Sequence, residues 1–435
     1  MGRINREILA LATPAIISNI TTPLLGLVDT AITGHLGAAT YIAAIALGSS
    51  MFVITYWLFN FLQMGTSGLT AQQYGKGVPT DMVLWRAFAV AAAISLALIA
   101  LSPLTAPLLL WFLDADQSTT AFAALYYQIV IFGAPAVLGT YALSGWLLGM
   151  QDTKTPMWIA IVTNVSNITI SLTLVFGFGM KIAGVAIGTL SAQWIGIIVG
   201  LALMRKKHRA ALSSALSASA LFDRQSLRRF FSVNSNLFFR MICIGSVTIW
   251  FTRSGASMGP TVLAANAVLL QLFVLFSFFM DGFAFAGEAM SGKYYGKGDS
   301  RMLVATIKGI MAWGAVLAAI FTLAYALFGN WFIMMLTDDQ GVVEVAKEYM
   351  PWAIFVPIAG VLAFAWDGIF VGLTKTRQMF ASMATATAAY FILYFICTPS
   401  LANHGLWLAF LAYLILRGSI QSAQAIHIIM SASKQ

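Results

Sequence analysis

Apolar stretches long enough to cross a membrane recur along the whole chain, and they constrain its folding more than any other feature. They lie at roughly 8–33, 41–68, 84–112, 120–149, 156–178 and 182–204. A second set lies at roughly 230–255, 261–291, 302–335, 345–373, 378–398 and 403–428. A bilayer core needs about 20 apolar residues per helix, because no water is present to satisfy a non-helical backbone. The expected fold is therefore an all-α polytopic membrane protein with 12 transmembrane helices. Composition agrees: of 435 residues, 60% are hydrophobic and 9% are charged. A soluble domain carries about 25% charge, so an ordinary soluble enzyme, a disordered chain and a disulfide scaffold are excluded. The first run is read as a retained helix, because it is too long for a signal peptide, contains Pro14 and Pro23, and lacks a small-residue cleavage site.

The net charge of +9 is explained by short loops between apolar runs and implies no nucleic-acid partner. Of the 24 Lys and Arg, 19 fall on one side of the spans and 3 on the other, with Arg240 and Arg417 inside spans. The positive-inside rule then puts both termini in the cytoplasm. The one long polar segment, 205–229, is basic and rich in Ser and Ala. It reads as a cytoplasmic linker between an N-lobe (1–204, helices 1–6) and a C-lobe (230–435, helices 7–12).

The two halves repeat. GTSGLTAQQYGKG (65–77) returns as AGEAMSGKYYGKG (286–298), offset by 221. Gly145 and Gly149 of GWLLGMQDTKT correspond to Gly368 and Gly372 of GIFVGLTKTRQ at an offset of 223, and Gly184 corresponds to Gly405 at 221. Six spans return the chain to its starting side, so the repeat is parallel. Two such lobes are expected to flank a central cleft that opens to one side at a time.

Four carboxylates fall inside spans: Asp29, Asp281, Glu288 and Asp367. A charge at mid-membrane is costly, so such residues face a cavity or a partner and are functional candidates. Asp29 shares its span with Pro14 and Pro23, and prolines permit a kink, so this helix reads as a proton-coupled switch. Asn167 and Ser171, four apart on one helical face, are expected to wall the Asp29 pocket. Asp281 and Glu288, two turns apart, share a face and take Arg240 as their expected partner. Asp367 is expected near the cytoplasmic end of its span. Catalytic and metal-binding constellations are not expected: Cys243 and Cys397 lie apart in apolar runs, the four His are isolated, and no HExxH or phosphate-binding loop occurs. No cofactor is expected beyond a coupling ion.

The segments SNITTPLLGLVDTAITGHLG (18–37), GLTAQQYG (68–75), GWLLGMQ (145–151), ANAVLLQL (265–272), DGFAFAGEAMSGKYYG (281–296), DGIFVG (367–372) and NHGLWLAF (403–410) resemble the multidrug and toxic compound extrusion (MATE) transporters. Within that family they resemble the bacterial branch named for DNA-damage-inducible protein F. The resemblance implies secondary active antiport, with H+ or Na+ entering as an amphipathic, cationic small molecule leaves across the inner membrane. It places the functional carboxylate on Asp29 and the kinking proline on Pro14. It places an Asn on Asn167, with Ser171 where the family carries an Asp. Two other readings stand beside it, a flippase of lipid-linked precursors from the same superfamily and a membrane-embedded enzyme. A monomer is the expected assembly.

Overall fold

The computed structural model describes residues 2–34, 39–113, 117–209 and 223–432. Of residues 22–31, 33–34, 39–40, 42, 117–118 and 427–432 it describes the backbone alone. Among the described residues the chain is helical throughout. The first half of the chain contains α1 (Gly2–Gly34), α2 (Ala39–Trp57, then a 3-10 turn at Leu58–Asn60 and Phe61–Lys76) and α3 (Asp81–Phe112). It continues with α4 (Gln117–Val130, a 3-10 turn at Ile131–Gly133, then Ala134–Gly149), α5 (Lys154–Leu172, ending in a π-turn at Thr173–Gly177) and α6 (Lys181–Lys207). The second half contains α7 (Arg224–Ser257), α8 (Pro260–Lys297), α9 (Ser300–Leu336), α10 (Gln340–Gly372), α11 (Thr376–Leu401) and α12 (Asn403–Ala432). The eleven helices after α1 are each long and apolar enough to cross a membrane.

Helix ends follow local chemistry. Asp299 caps α9 by accepting from the Met302 N–H, and Asp339 caps α10 by accepting from the Gly341 and Val342 N–H groups. Arg205, Lys206 and Lys207 fill the last turn of α6, where cations complement the exposed carbonyls. α2 and α8 both end on a left-handed glycine, Gly77 at φ 69° and Gly298 at φ 74°. The repeated GKG is thus a repeated helix stop. The helices also run further than the apolar pattern indicates. α6 and α7 consume both ends of the expected 205–229 linker, because backbone hydrogen bonding continues past the bilayer edge while Lys and Arg stems reach into water.

The chain divides into two compact units, Pro14–Phe230 and Phe231 onward together with the residues before Pro14. The expected N-lobe, 1–204, therefore loses its first thirteen residues to the other unit. Ile8 is buried there against Gly309, and Glu7 accepts a hydrogen bond from the Tyr294 hydroxyl at 3.0 Å.

Inside each unit the repeat becomes a repeated helix crossing. A Cβ on Gly145 would strike the Gln63 carbonyl, and one on Gly368 would strike the Ala284 carbonyl. Gly149 lies against Ser67 and Thr70, as Gly372 lies against Glu288 and Ser291. Small residues let helix backbones approach closely in lipid, so α4 crosses α2 as α10 crosses α8. α10 is the enclosed helix of its unit and packs against α8, α9 and α12. Its core is aromatic: Phe251, Trp407 and Phe410 meet edge-on or tilted at centroid distances of 5.1 to 6.1 Å. Asn266 and Asn403 exchange hydrogen bonds at 2.8 and 2.9 Å, and the Trp407 indole N–H donates to Asn266 at 2.9 Å. These polar side chains from ANAV and NHGLW pin α8 to α12.

Candidate functional site

α10 carries Asp367 beside Gly368, at the close crossing with α8. α12 carries Arg417 and Gln421 one turn apart on a single face, and α7 carries Arg240. All four side chains are buried. Arg240 Nη2 donates to Asp367 Oδ2 at 2.5 Å, Arg417 Nη2 donates to the same oxygen, and Gln421 Nε2 donates to Oδ1 at 3.0 Å. The Arg417 guanidinium also lies over the Phe364 ring, 5.8 Å from its centroid. Three donors on one carboxylate answer the cost of burying it.

The hydrogen bond of Arg240 goes to Asp367 on α10, a partner that the expected pairing did not include. On α8, Asp281 is within charge reach of both arginines and Glu288 within reach of Arg240. Residue spacing along α8 showed that its two acids share a face. It held no information about which helix stands opposite. Arg417 and Gln421 are the members that sequence reasoning missed. Their four-residue spacing was the available signal, and it is meaningful only once α12 is known to border α10. The cluster contains two guanidiniums and three carboxylates, so a single proton brings it to neutrality. It is not duplicated in the first unit, where Ser144 and Gly196 stand at the offsets that relate Asp367 and Arg417 to that half.

In the first unit the Asp29 and Pro23 side chains lie outside the described residues; both positions are in α1, which is helical through Pro14 and Pro23. Asn167 and Ser171 are buried, and their described neighbours are on α6. Asn167 Nδ2 donates to Thr189 Oγ1 at 2.9 Å, and Ser171 packs where Gly188 leaves room. Asn164 Nδ2 donates to the Thr21 carbonyl at 3.0 Å and ties α5 to α1. Asn167 Oδ1 and Ser171 Oγ are buried and receive no hydrogen bond from the described residues.

A third polar site lies in the loop that joins α4 to α5. Asp152, between α4 and α5, is buried and accepts from the Thr155 N–H at 3.1 Å and the Thr155 hydroxyl at 2.7 Å. It also contacts Lys207 Nζ at 2.8 Å and His208 Nε2 at 3.0 Å. Burial pushes this carboxyl up, but the bonds from His208, Lys207 and Thr155 outweigh it and hold it well below the usual carboxylate range.

Comparison with known proteins fits this architecture. The MatE family matches residues 14–173 and again 237–396, an internal offset of 223 that agrees with the repeat. The chain belongs to the MatE family. This MATE protein is 35% identical over 418 residues to DNA damage-inducible protein F of Escherichia coli, covering 94% of this chain and 89% of that one. It is 25% identical over 388 residues to a probable multidrug resistance protein NorM of Photorhabdus laumondii, covering 86% and 83%. In fold it matches a solved outward-facing multidrug resistance MATE family transporter with a TM-score of 0.89 at 16% identity, covering 99% of this chain and 97% of that one. Solved bent and straight MATE conformations each match with a TM-score of 0.88, so the likeness favours neither. The MATE chain is a multi-pass membrane transporter and not an enzyme.

Proposed function

We propose that this MATE protein exports amphipathic, cationic small molecules from the cytoplasm by antiport against inward H+, with alternating access. It acts as a monomer in the inner membrane with both termini cytoplasmic. The observation that carries the proton reading is the charge count of the second unit. Two guanidiniums and three carboxylates share one buried neighbourhood, and one proton separates a net charge of −1 from neutrality. Interacting carboxyls of this kind titrate as a set. Asp29, the in-span acid of the first unit, is the coupling carboxylate in this reading, with Asn167 and Ser171 as polar neighbours and Pro14 and Pro23 as the compliant points of α1. Asp281, Glu288, Asp367 and Arg240 handle a second proton or the substrate's positive charge. Abundant aromatic and Met side chains suit flat cations through ring-face and thioether contacts.

The flippase alternative needs free cations for a pyrophosphate headgroup. Arg240 and Arg417 are instead bound to Asp367, and Arg253 is stacked on Trp250 at 5.6 Å. The test is dye efflux from proteoliposomes under separately imposed pH and sodium gradients. Wild type is expected to respond to the pH gradient, and Asp29→Asn to lose at least about tenfold in rate, the low end of a general acid–base contribution being larger still, with normal membrane expression. Efflux driven by sodium alone would overturn proton coupling, and wild-type efflux by Asp29→Asn would remove Asp29 from the mechanism.

A further inference from the structure

α3 and α9 are the third helices of their halves, and they differ in one respect. α3 carries Pro103 and Pro107 within its second half, whereas α9 contains no proline. Proline removes a backbone donor and crowds the preceding turn. The crossings with the next helix differ accordingly. Between α9 and α10 the space is filled: a Cβ on Gly329 would strike the Met350 methyl, and Tyr325 and Ile333 share one buried core with Val343 and Ala346. Between α3 and α4 there is a groove of about 740 Å3, lined by Pro103, Pro107 and Trp111 of α3 and by Ala124, Gln128 and Phe132 of α4. The opening belongs to this half of the chain and not to the repeated fold.

The groove has a firm floor. Ala106 and Leu110 pack there with Tyr126, Tyr127 and Val130, and Thr105 Oγ1 and the Tyr127 hydroxyl share a hydrogen bond at 3.0 Å. At one end the Trp194 indole N–H of α6 donates to the Phe132 carbonyl at 3.3 Å and holds the 3-10 turn that carries Phe132. Gln128 and Phe132, four residues apart, border the same space.

The polar atoms of the groove lie deep. Gln128 is about 9 Å along the helix from the middle of the Thr119–Gly149 span, and Ser102 about 8 Å from the middle of the Asp81–Phe112 span. Half of a hydrocarbon core is about 15 Å thick, so both lie within it. Gln128 is exposed, and its amide has no hydrogen-bond partner among the described residues. Pro107 has no N–H to give the Pro103 carbonyl one turn earlier. Among the described residues no charged side chain lines the groove.

We propose that the α3–α4 groove binds an uncharged aromatic molecule that carries an amide or hydroxyl group and is dissolved in the bilayer. The volume is within the roughly 300–1,000 Å3 of small-molecule sites, which are likewise apolar and aromatic with a few polar atoms. Trp111 and Phe132 supply ring faces, and Gln128 supplies one donor and one acceptor. A phospholipid chain brings only methylenes to this depth and leaves the Gln128 amide unpaired in hydrocarbon. A cation finds no carboxylate there and loses its water without compensation. The ligand therefore differs in charge from the cargo proposed above, and the site does not depend on that proposal.

The test irradiates the full chain in liposomes with para-benzoylbenzamide, an uncharged benzophenone bearing a primary amide, and maps the adducts by peptide mass spectrometry. Labelling is expected to saturate with probe concentration and to fall on the segments that contain Pro103, Trp111, Gln128 and Phe132. Benzophenone without the amide is expected to label these segments roughly fivefold less, as for the loss of one hydrogen bond, and the trimethylammonium analogue less still. Gln128→Leu lowers labelling by the amide probe by the same factor and leaves labelling by benzophenone unchanged. Ala124→Phe, which fills the groove, abolishes both, and Val316→Phe, at an exposed position of α9, alters neither. Equal labelling of wild type and Gln128→Leu by the amide probe overturns the inference, as does labelling that never saturates. It also falls if phosphatidylcholine with a diazirine in its tail labels the same segments and the amide probe does not displace it, since a lipid chain then holds the groove. Gln128→Leu places an apolar side chain in lipid and keeps the span intact, so its result stands even if Ala124→Phe fails to fold.

Discussion

Asp367 shows how much one buried side chain holds in place. It receives hydrogen bonds from Arg240, Arg417 and Gln421, which come from two other helices. Replacing it with Asn removes the negative charge and one of the two acceptor oxygens from beside two buried guanidiniums. The expected result is a loss on the order of 3–5 kcal/mol, read as a lowered unfolding temperature in detergent and reduced membrane yield, with Arg240→Leu combined with Asp367→Leu recovering part of the loss. Asp152 makes a separate prediction about pH. Its folded carboxyl is held below the usual range, so the bonds to Thr155, Lys207 and His208 contribute stability above the unfolded value near 3.9. That contribution fades as pH falls through the folded value. Between about pH 5 and pH 2, wild type is expected to lose unfolding temperature more steeply than Asp152→Asn, as followed by tryptophan fluorescence. Parallel slopes would show that the Asp152 contacts add nothing to the acid sensitivity. The acids themselves were readable from the sequence, because a carboxylate inside an apolar run stands out. Their partners were not: Arg240 and Asp367 are 127 residues apart, and no periodicity within a helix encodes that separation.

At the scale of elements, paired glycines set the fold of each unit. Gly368 stands against the Ala284 carbonyl and Gly145 against the Gln63 carbonyl, with no room for a side chain at either. Gly368→Leu is therefore expected to separate α10 from α8, cost about 1–3 kcal/mol or more as an overpacked core, and displace Asp367 from its donors. Gly2→Leu, at a glycine with open space around it, is the neutral control. Unfolding temperatures of the two variants check this, and equal values would show that the crossing adapts. The spacing of Gly145/Gly149 and Gly368/Gly372 identified these as contact faces in the sequence, since small residues four apart align on one side of a helix. The contact partner was again a tertiary matter. Helix length departed from the apolar pattern for a related reason: hydropathy reports where lipid ends, whereas the helix ends at caps such as Gly77, Gly298, Asp299 and Asp339.

For the whole molecule, the repeat is the organising fact, and its exceptions carry the chemistry. Left-handed backbone recurs at Gly77 and Gly298, at Gln151 and Thr374, and at Lys181 and Ala402, each pair 221 or 223 residues apart. The backbone is thus copied closely while the charges are not: Asp367 answers to Ser144 and Arg417 to Gly196. The sequence by itself determined the helical class, the number of long helices, the doubling of the chain and its membership in the MatE family. All of these are written in local periodicity, local punctuation and self-similarity along the chain. Only the tertiary structure decided that residues before Pro14 belong with the second unit, that Arg240 and Arg417 share Asp367, and that a groove opens between α3 and α4 at Gln128. The reason is physical. In lipid every span is apolar on nearly all sides, so hydropathy does not reveal which face meets which neighbour; that is settled by close packing and by the few polar side chains that must find one another.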